Sequence, residues 1–140
     1  MSLAEKQQRL IAKYAIIEDA QERLGAIVSR GKKWPALTND EKTDAHRVRG
    51  CVSQVWIVGK REGDRCRFRM DADSPLVKGL VAVHCELYDG ETAEEIATTE
   101  PAWIEALGFE SRLSPTRLNG LASVRAAIRA FAEANSPRRY

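Results

Sequence analysis

The chain is poor in the residues that most often hold metals or run redox chemistry. It has three cysteines, at positions 51, 66 and 85, and two histidines, His46 and His84, in 140 residues. No two cysteines form a C-x-x-C pair, so neither a zinc knuckle nor a thioredoxin-like couple is indicated. Phosphate-cradling loops of the G-x-x-x-x-G-K-S/T or G-x-G-x-x-G type are missing, as is G-x-S-x-G, and nucleotide and serine-hydrolase chemistry lose their usual signals. No apolar run reaches the roughly 20 residues of a membrane span, and the N-terminal stretch is too charged for a signal peptide. No membrane association is expected, and the expected location is the cytoplasm, where all three thiols would be free. A net charge of +2 is too small for bulk nucleic-acid binding.

What is present reads as one globular domain over residues 1–140, with 44% apolar and 30% charged residues. Ser2 and Glu5 have capping-box spacing, followed by Leu3, Leu10, Ile11, Tyr14 and Ile17 at helical intervals. A second helix is expected from Glu18 to Ser29 with Gly31 as its stop, before Trp34-Pro35 breaks the pattern. Thr38 to Val48 is polar and reads as a loop with one turn of helix. Val52 to Val58 is β-branched and aromatic and predicts a strand, with a hairpin turn at Lys60 to Asp64. In Arg65 to Met70 the arginines alternate with Cys66, Phe68 and Met70, so period two places Cys66 toward the core.

Ser74-Pro75 and Ser114-Pro115 each pair an N-cap residue with a proline suited to the first helical position. The first opens an apolar helix to about Asp89-Gly90, expected to be central and buried, which carries His84 and Cys85 as packing residues. Thr92 with Glu95 suggests a short helix to about Ala97, and another surrounds Trp103, Ile104 and Leu107 with Gly108 as terminator. The second Ser-Pro pair opens a helix to about Ala134. Gly120 inside it costs about 1 kcal/mol relative to alanine, so close approach by another group is expected there. Asn135 to Tyr140 reads as a frayed tail. Acidic residues between Glu86 and Glu100, and basic ones near 30–33, 47–49 and 60–69, read either as solvated faces or as a surface that orients a partner.

The candidate reactive group is Cys51, in Val48-Arg49-Gly50-Cys51-Val52-Ser53-Gln54-Val55-Trp56. A thiol beside positive charge, on a loop backed by a strand, fits a reactive cysteine. A buried, inert cysteine opening a strand fits the same residues. Pairing of Cys51 with His46 would resemble a thiol enzyme, but no third, orienting residue is evident. A metal site from Cys51, Cys66 and Cys85 would need two core-facing thiols to meet the first.

Three blocks together resemble the SufE family of sulfur acceptors, which partner cysteine desulfurases in iron–sulfur cluster assembly. They are Gly50-Cys51-Val52-Ser53-Gln54-Val55-Trp56, Asp71-Ala72-Asp73-Ser74 leading into Val77-Lys78-Gly79-Leu80, and Leu113-Ser114-Pro115-Thr116-Arg117-Leu118-Asn119-Gly120-Leu121. His84-Cys85 departs from the plain apolar residues usual there. The resemblance implies an α+β fold, SufE/IscU-like, with a small antiparallel β-sheet packed against helices. It implies that Cys51 accepts sulfur, with Arg49, Gly50, Gln54, Asp73, Arg117 and Asn119 supporting the thiolate or docking the partner. It further implies a SufS-like desulfurase as donor and a cluster-assembly complex as recipient. No cofactor is expected in this chain, pyridoxal phosphate belonging to the desulfurase. The alternative from another class is a metal- or cluster-binding scaffold; an interaction domain with an inert Cys51 is a third. Oligomeric state stays open, a homodimer included.

Overall fold

The computed structural model describes residues 1–136; the end of the tail expected to fray, residues 137–140, lies outside them. Helices α1 (Leu3–Ala15) and α2 (Ala20–Lys32) lead into a long connection containing one 3-10 turn, Asp44–His46. Strands β1 (Val55–Glu62) and β2 (Arg65–Ala72) form a hairpin, followed by α3 (Pro75–Tyr88), β3 (Glu91–Thr92), α4 (Ala93–Thr98), α5 (Trp103–Ala106) and α6 (Pro115–Ala134). The sheet is antiparallel throughout, in the order β1-β2-β3. It is an α+β fold with a small sheet against helices.

Local chemistry sets the helix starts. Ser2 and Glu5 form a reciprocal capping box, and Ser74 and Ser114 accept from the backbone N–H groups of Val77 and Arg117 ahead of prolines in the first turn. Helix α3 is the central element, with Leu80, Val81, Val83, His84, Cys85, Leu87 and Tyr88 all buried. Each such large side chain taken fully out of water contributes roughly 1.5–3 kcal/mol. His84 is a packing residue: its Nδ1 accepts from Trp103 Nε1 at 3.1 Å, and burial lowers its pKa to about 3. Several acids that read as a charged surface are tied into ion pairs, Glu86 with Arg30, Asp89 with Arg67 and Glu91 with Lys6.

Three boundaries differ from those expected. Helix α2 runs through Gly31 to Lys32, so Gly31 is not its stop. A Cβ at Gly31 would lie 2.5 Å from Gly79 Cα, and one at Gly79 would lie 2.8 Å from the Ile27 carbonyl oxygen. The two glycines bring α2 and α3 together backbone to backbone. Strand β1 starts three residues later than expected, at Val55, because the chain bends at Val52-Ser53. It then continues through Lys60, Arg61 and Glu62, opposite Arg67, Cys66 and Arg65. The hairpin turn is only Gly63-Asp64, with Gly63 at φ +63°. Charged side chains are compatible with an edge strand, and the tight turn needs a glycine there.

Candidate functional site

Cys51 is held at the junction of the loop before β1 and the first turns of α6. Gly50 takes φ +89°, and a Cβ there would meet Ser123 Oγ at 2.5 Å. Only glycine satisfies both the left-handed backbone and this contact with α6. The Cys51 thiol then donates to the Gly120 carbonyl at 3.4 Å, and a Cβ on Gly120 would stand 3.7 Å from the sulfur. Cys51 is thus the neighbour of Gly120, but at ordinary contact distance, so the close approach expected to require glycine there is not found. On the far side of the loop, Gln54 N–H donates to Asp73 Oδ1 and Asp73 N–H donates to the Gln54 carbonyl, both at 3.1 Å. Val48 N–H donates to the Val55 carbonyl at 2.8 Å. These bonds pin both ends of residues 49–54 while Val52 at the tip stays 83% exposed.

The sulfur lies in the wall of a cavity of about 160 Å³. Val77, Leu80 and Val81 of α3 and Leu121 and Val124 of α6 make it apolar; Ser53, Ser114, Thr116 and Arg117 add polar lining. Burial pushes the Cys51 thiol above its ordinary pKa, and the Arg47 guanidinium pulls the other way, more weakly. The resting group is thus a thiol. Of the cations expected to support the thiolate or dock the partner, Arg49 is exposed; the guanidinium that lowers the thiol's pKa is that of Arg47. Arg117 does share the cavity with Cys51, and Asn119 is exposed on the same turn of α6.

Cys66 and Cys85 are enclosed in the core on β2 and α3, and burial raises both thiols. They do not meet Cys51. Among the described residues no group of three or more His, Cys, Asp or Glu side chains is placed to hold a metal ion. His46 is not the base for Cys51 either: its Nδ1 lies 2.8 Å from the Glu41 carbonyl oxygen, and its ring lines a different groove. Arg47 and Ser123 were not legible as site residues from the sequence. Neither sits in a motif; the fold brings Ser123 to the loop, and Arg47 stands four residues before Cys51 in the chain.

The model of the SufE Fe-S metabolism associated domain matches residues 8–132. The chain belongs to the SufE family. It is similar to an uncharacterised SufE-like protein of Synechocystis, 34% identical over 116 residues that span 83% of this chain and 73% of the relative. It is equally similar, 34% over 126 residues, to an uncharacterised SufE-like protein of Rhizobium etli, covering 86% of this chain and 85% of that one. The fold matches the solution structure of a hypothetical protein from Thermus thermophilus with a TM-score of 0.76, over 93% of this chain and 95% of the other. At 20% identity that likeness speaks to the fold alone. Membership of the SufE family places the protein in iron–sulfur metabolism. Among the described residues no helix is long and apolar enough to cross a membrane.

Proposed function

We propose that this SufE-family protein is a sulfur carrier. Cys51 takes the outer sulfur of a persulfide from a pyridoxal-phosphate-dependent cysteine desulfurase and delivers it, in the cytoplasm, to a cluster-assembly complex. The observation that carries this reading is the placement of one half-buried thiol, of three, in the wall of an apolar cavity with spare room. In the transfer, Cys51 sulfur attacks the outer sulfur and a new S–S bond forms. The bond to the desulfurase cysteine breaks, and its thiolate leaves and takes up a proton equivalent to the one Cys51 gave up. Nothing is oxidised or reduced overall. By accepting sulfur, the protein clears the desulfurase for another turnover and stimulates it; the pyridoxal phosphate stays with the desulfurase.

A carrier must also keep its cargo. A neighbouring thiol would attack a persulfide, release sulfide and leave a disulfide, and the burial of Cys66 and Cys85 removes that route. The raised pKa and the bond to Gly120 fit a thiol kept quiet in the free protein, which reacts once a docked partner draws the loop outward.

The test is intact and peptide mass spectrometry after incubation with a cognate desulfurase, pyridoxal phosphate and cysteine. One added sulfur on Cys51, absent in Cys51→Ser and retained in Cys66→Ser and Cys85→Ser, is the expected result. A desulfurase that loads itself but passes nothing to Cys51 would overturn the reading.

A further inference from the structure

Strand β1 lies at the edge of the sheet. The backbone bond from Asp73 N–H to the Gln54 carbonyl, taken with the register, fixes the phase of the ladder, so Trp56, Val58 and Lys60 direct their backbone groups to β2. The backbone groups of Val55, Ile57, Gly59 and Arg61 face outward. Val48 and an isolated bridge between Arg47 and Trp56 cover the start of this edge. Beyond the bridge, among the described residues, no backbone partner meets Gly59 or Arg61.

A groove of about 620 Å³ runs beside this open stretch. Ile57, Gly59, Phe68 and Phe131 give it an apolar lining, and Arg47 and Arg49 stand on its other wall; no carboxylate lines it. Gly59 is needed here, since a Cβ would strike the Phe131 ring at 2.6 Å. Charge separates this edge from its neighbour. On β2 each arginine has a carboxylate: Arg65 has Asp64, Arg67 has Asp89 and Arg69 has Glu41. Arg47, Arg49, Lys60 and Arg61 have none among the described residues.

We propose that the outer edge of β1 is a strand-addition site for an extended, acidic segment of a partner protein. Its backbone would continue the ladder past Val48, alternate apolar side chains would enter the groove, and the acidic ones between them would meet the unpaired cations. A second copy of this chain is the wrong occupant. Pairing β1 with β1 would set Lys60 and Arg61 against the same charges, which is unfavourable across a ladder.

The probe is a short blocked peptide of alternating glutamate and valine, titrated into 15N-labelled protein, with a lysine–valine peptide as control. Desulfurase is absent, so the outcome is independent of the sulfur-carrier reading. The largest amide shifts are expected at Gly59 and Arg61, with the control peptide silent. Arg61→Pro removes an outward N–H while leaving the bonds to β2, a position where edge strands accept proline. Arg61→Gln removes the charge alone. The proline variant should bind roughly three- to tenfold more weakly than the glutamine variant. Should Arg61→Pro fail to fold, hydrogen exchange answers the same question: the peptide should slow the Gly59 and Arg61 amides of the wild type. Equal binding by the two variants, unchanged exchange at these amides, or equal binding of the lysine peptide would overturn the proposal. So would edge amides that shift with the protein's own concentration, since a second copy would then be the occupant.

Discussion

Gly50 and Ser123 touch so closely that a single added carbon would lie 2.5 Å from the serine oxygen. Gly50→Ala therefore carries two separable costs, the strained φ of +89° and the contact. The backbone component is roughly 1–2 kcal/mol. Urea unfolding should show Gly50→Ala destabilised by at least that amount, and Ser123→Ala in the same chain should recover only the contact part. Full recovery would mean that the backbone at residue 50 had relaxed.

Cys51 alkylation should report the raised thiol directly. Its rate should reach half-maximum above about pH 8.5, the ordinary value for a free cysteine. Arg47→Ala removes the one cation that lowers the pKa and should move the midpoint higher; Arg49→Ala should move it less. The sign for stability follows. A thiol whose folded pKa is raised favours the folded state fully below the unfolded pKa, and that contribution is lost as pH rises through the folded value. Urea midpoints compared between wild type and Cys51→Ser above pH 8.5 read this difference.

Gly120→Ala should separate stability from transfer. Alanine is the better helix former by about 1 kcal/mol, and its Cβ would make ordinary contact with Cys51 at 3.7 Å. The variant should be at least as stable as wild type, yet the methyl takes space beside the sulfur. Slower sulfur loading from a desulfurase, with unchanged or higher thermal stability, is the expected pair of results.

Helix α2 carries two glycines that should answer alanine in opposite directions. Gly25 has nothing within 4 Å of its added Cβ, so Gly25→Ala should stabilise by about 0.5–1 kcal/mol. Gly31→Ala pushes the same group into the Gly79 backbone, where overpacking costs about 1–3 kcal/mol and outweighs the helix gain. Paired urea midpoints decide it.

The elements that could be read from the sequence are those governed by neighbours in the chain. Ser2, Ser74 and Ser114 announce helix starts because a cap and its recipient N–H are a few residues apart, and the alternation around Cys66 places one face of β2 inward. Gly31 misleads for the opposite reason. A helix-ending glycine and a helix-packing glycine look alike until Gly79 is placed against it. Of the site, Cys51, Gly50, Gln54, Asp73 and Arg117 lie in legible blocks. Arg47 and Ser123 do not: Ser123 matters through distance across the fold, as does the burial that raises the thiol's pKa, and Arg47, four residues before Cys51, lies in no motif.

In an unfolded chain the three cysteines are chemically near-equivalent, and any two could be oxidised together. Folding ends that equivalence: β2 and α3 enclose two of them, while the third is presented by a carbonyl 69 residues away in sequence. A synthetic chemist would call the first two protected and the third free to react. Here the protecting group is the hydrophobic core itself, and a local opening of α3 or β2 removes it. In the proposed carrier, anything that loosens the core should let Cys66 or Cys85 attack the inner sulfur of a Cys51 persulfide, forming a disulfide and releasing the outer sulfur as sulfide, so that the cargo is lost with the core.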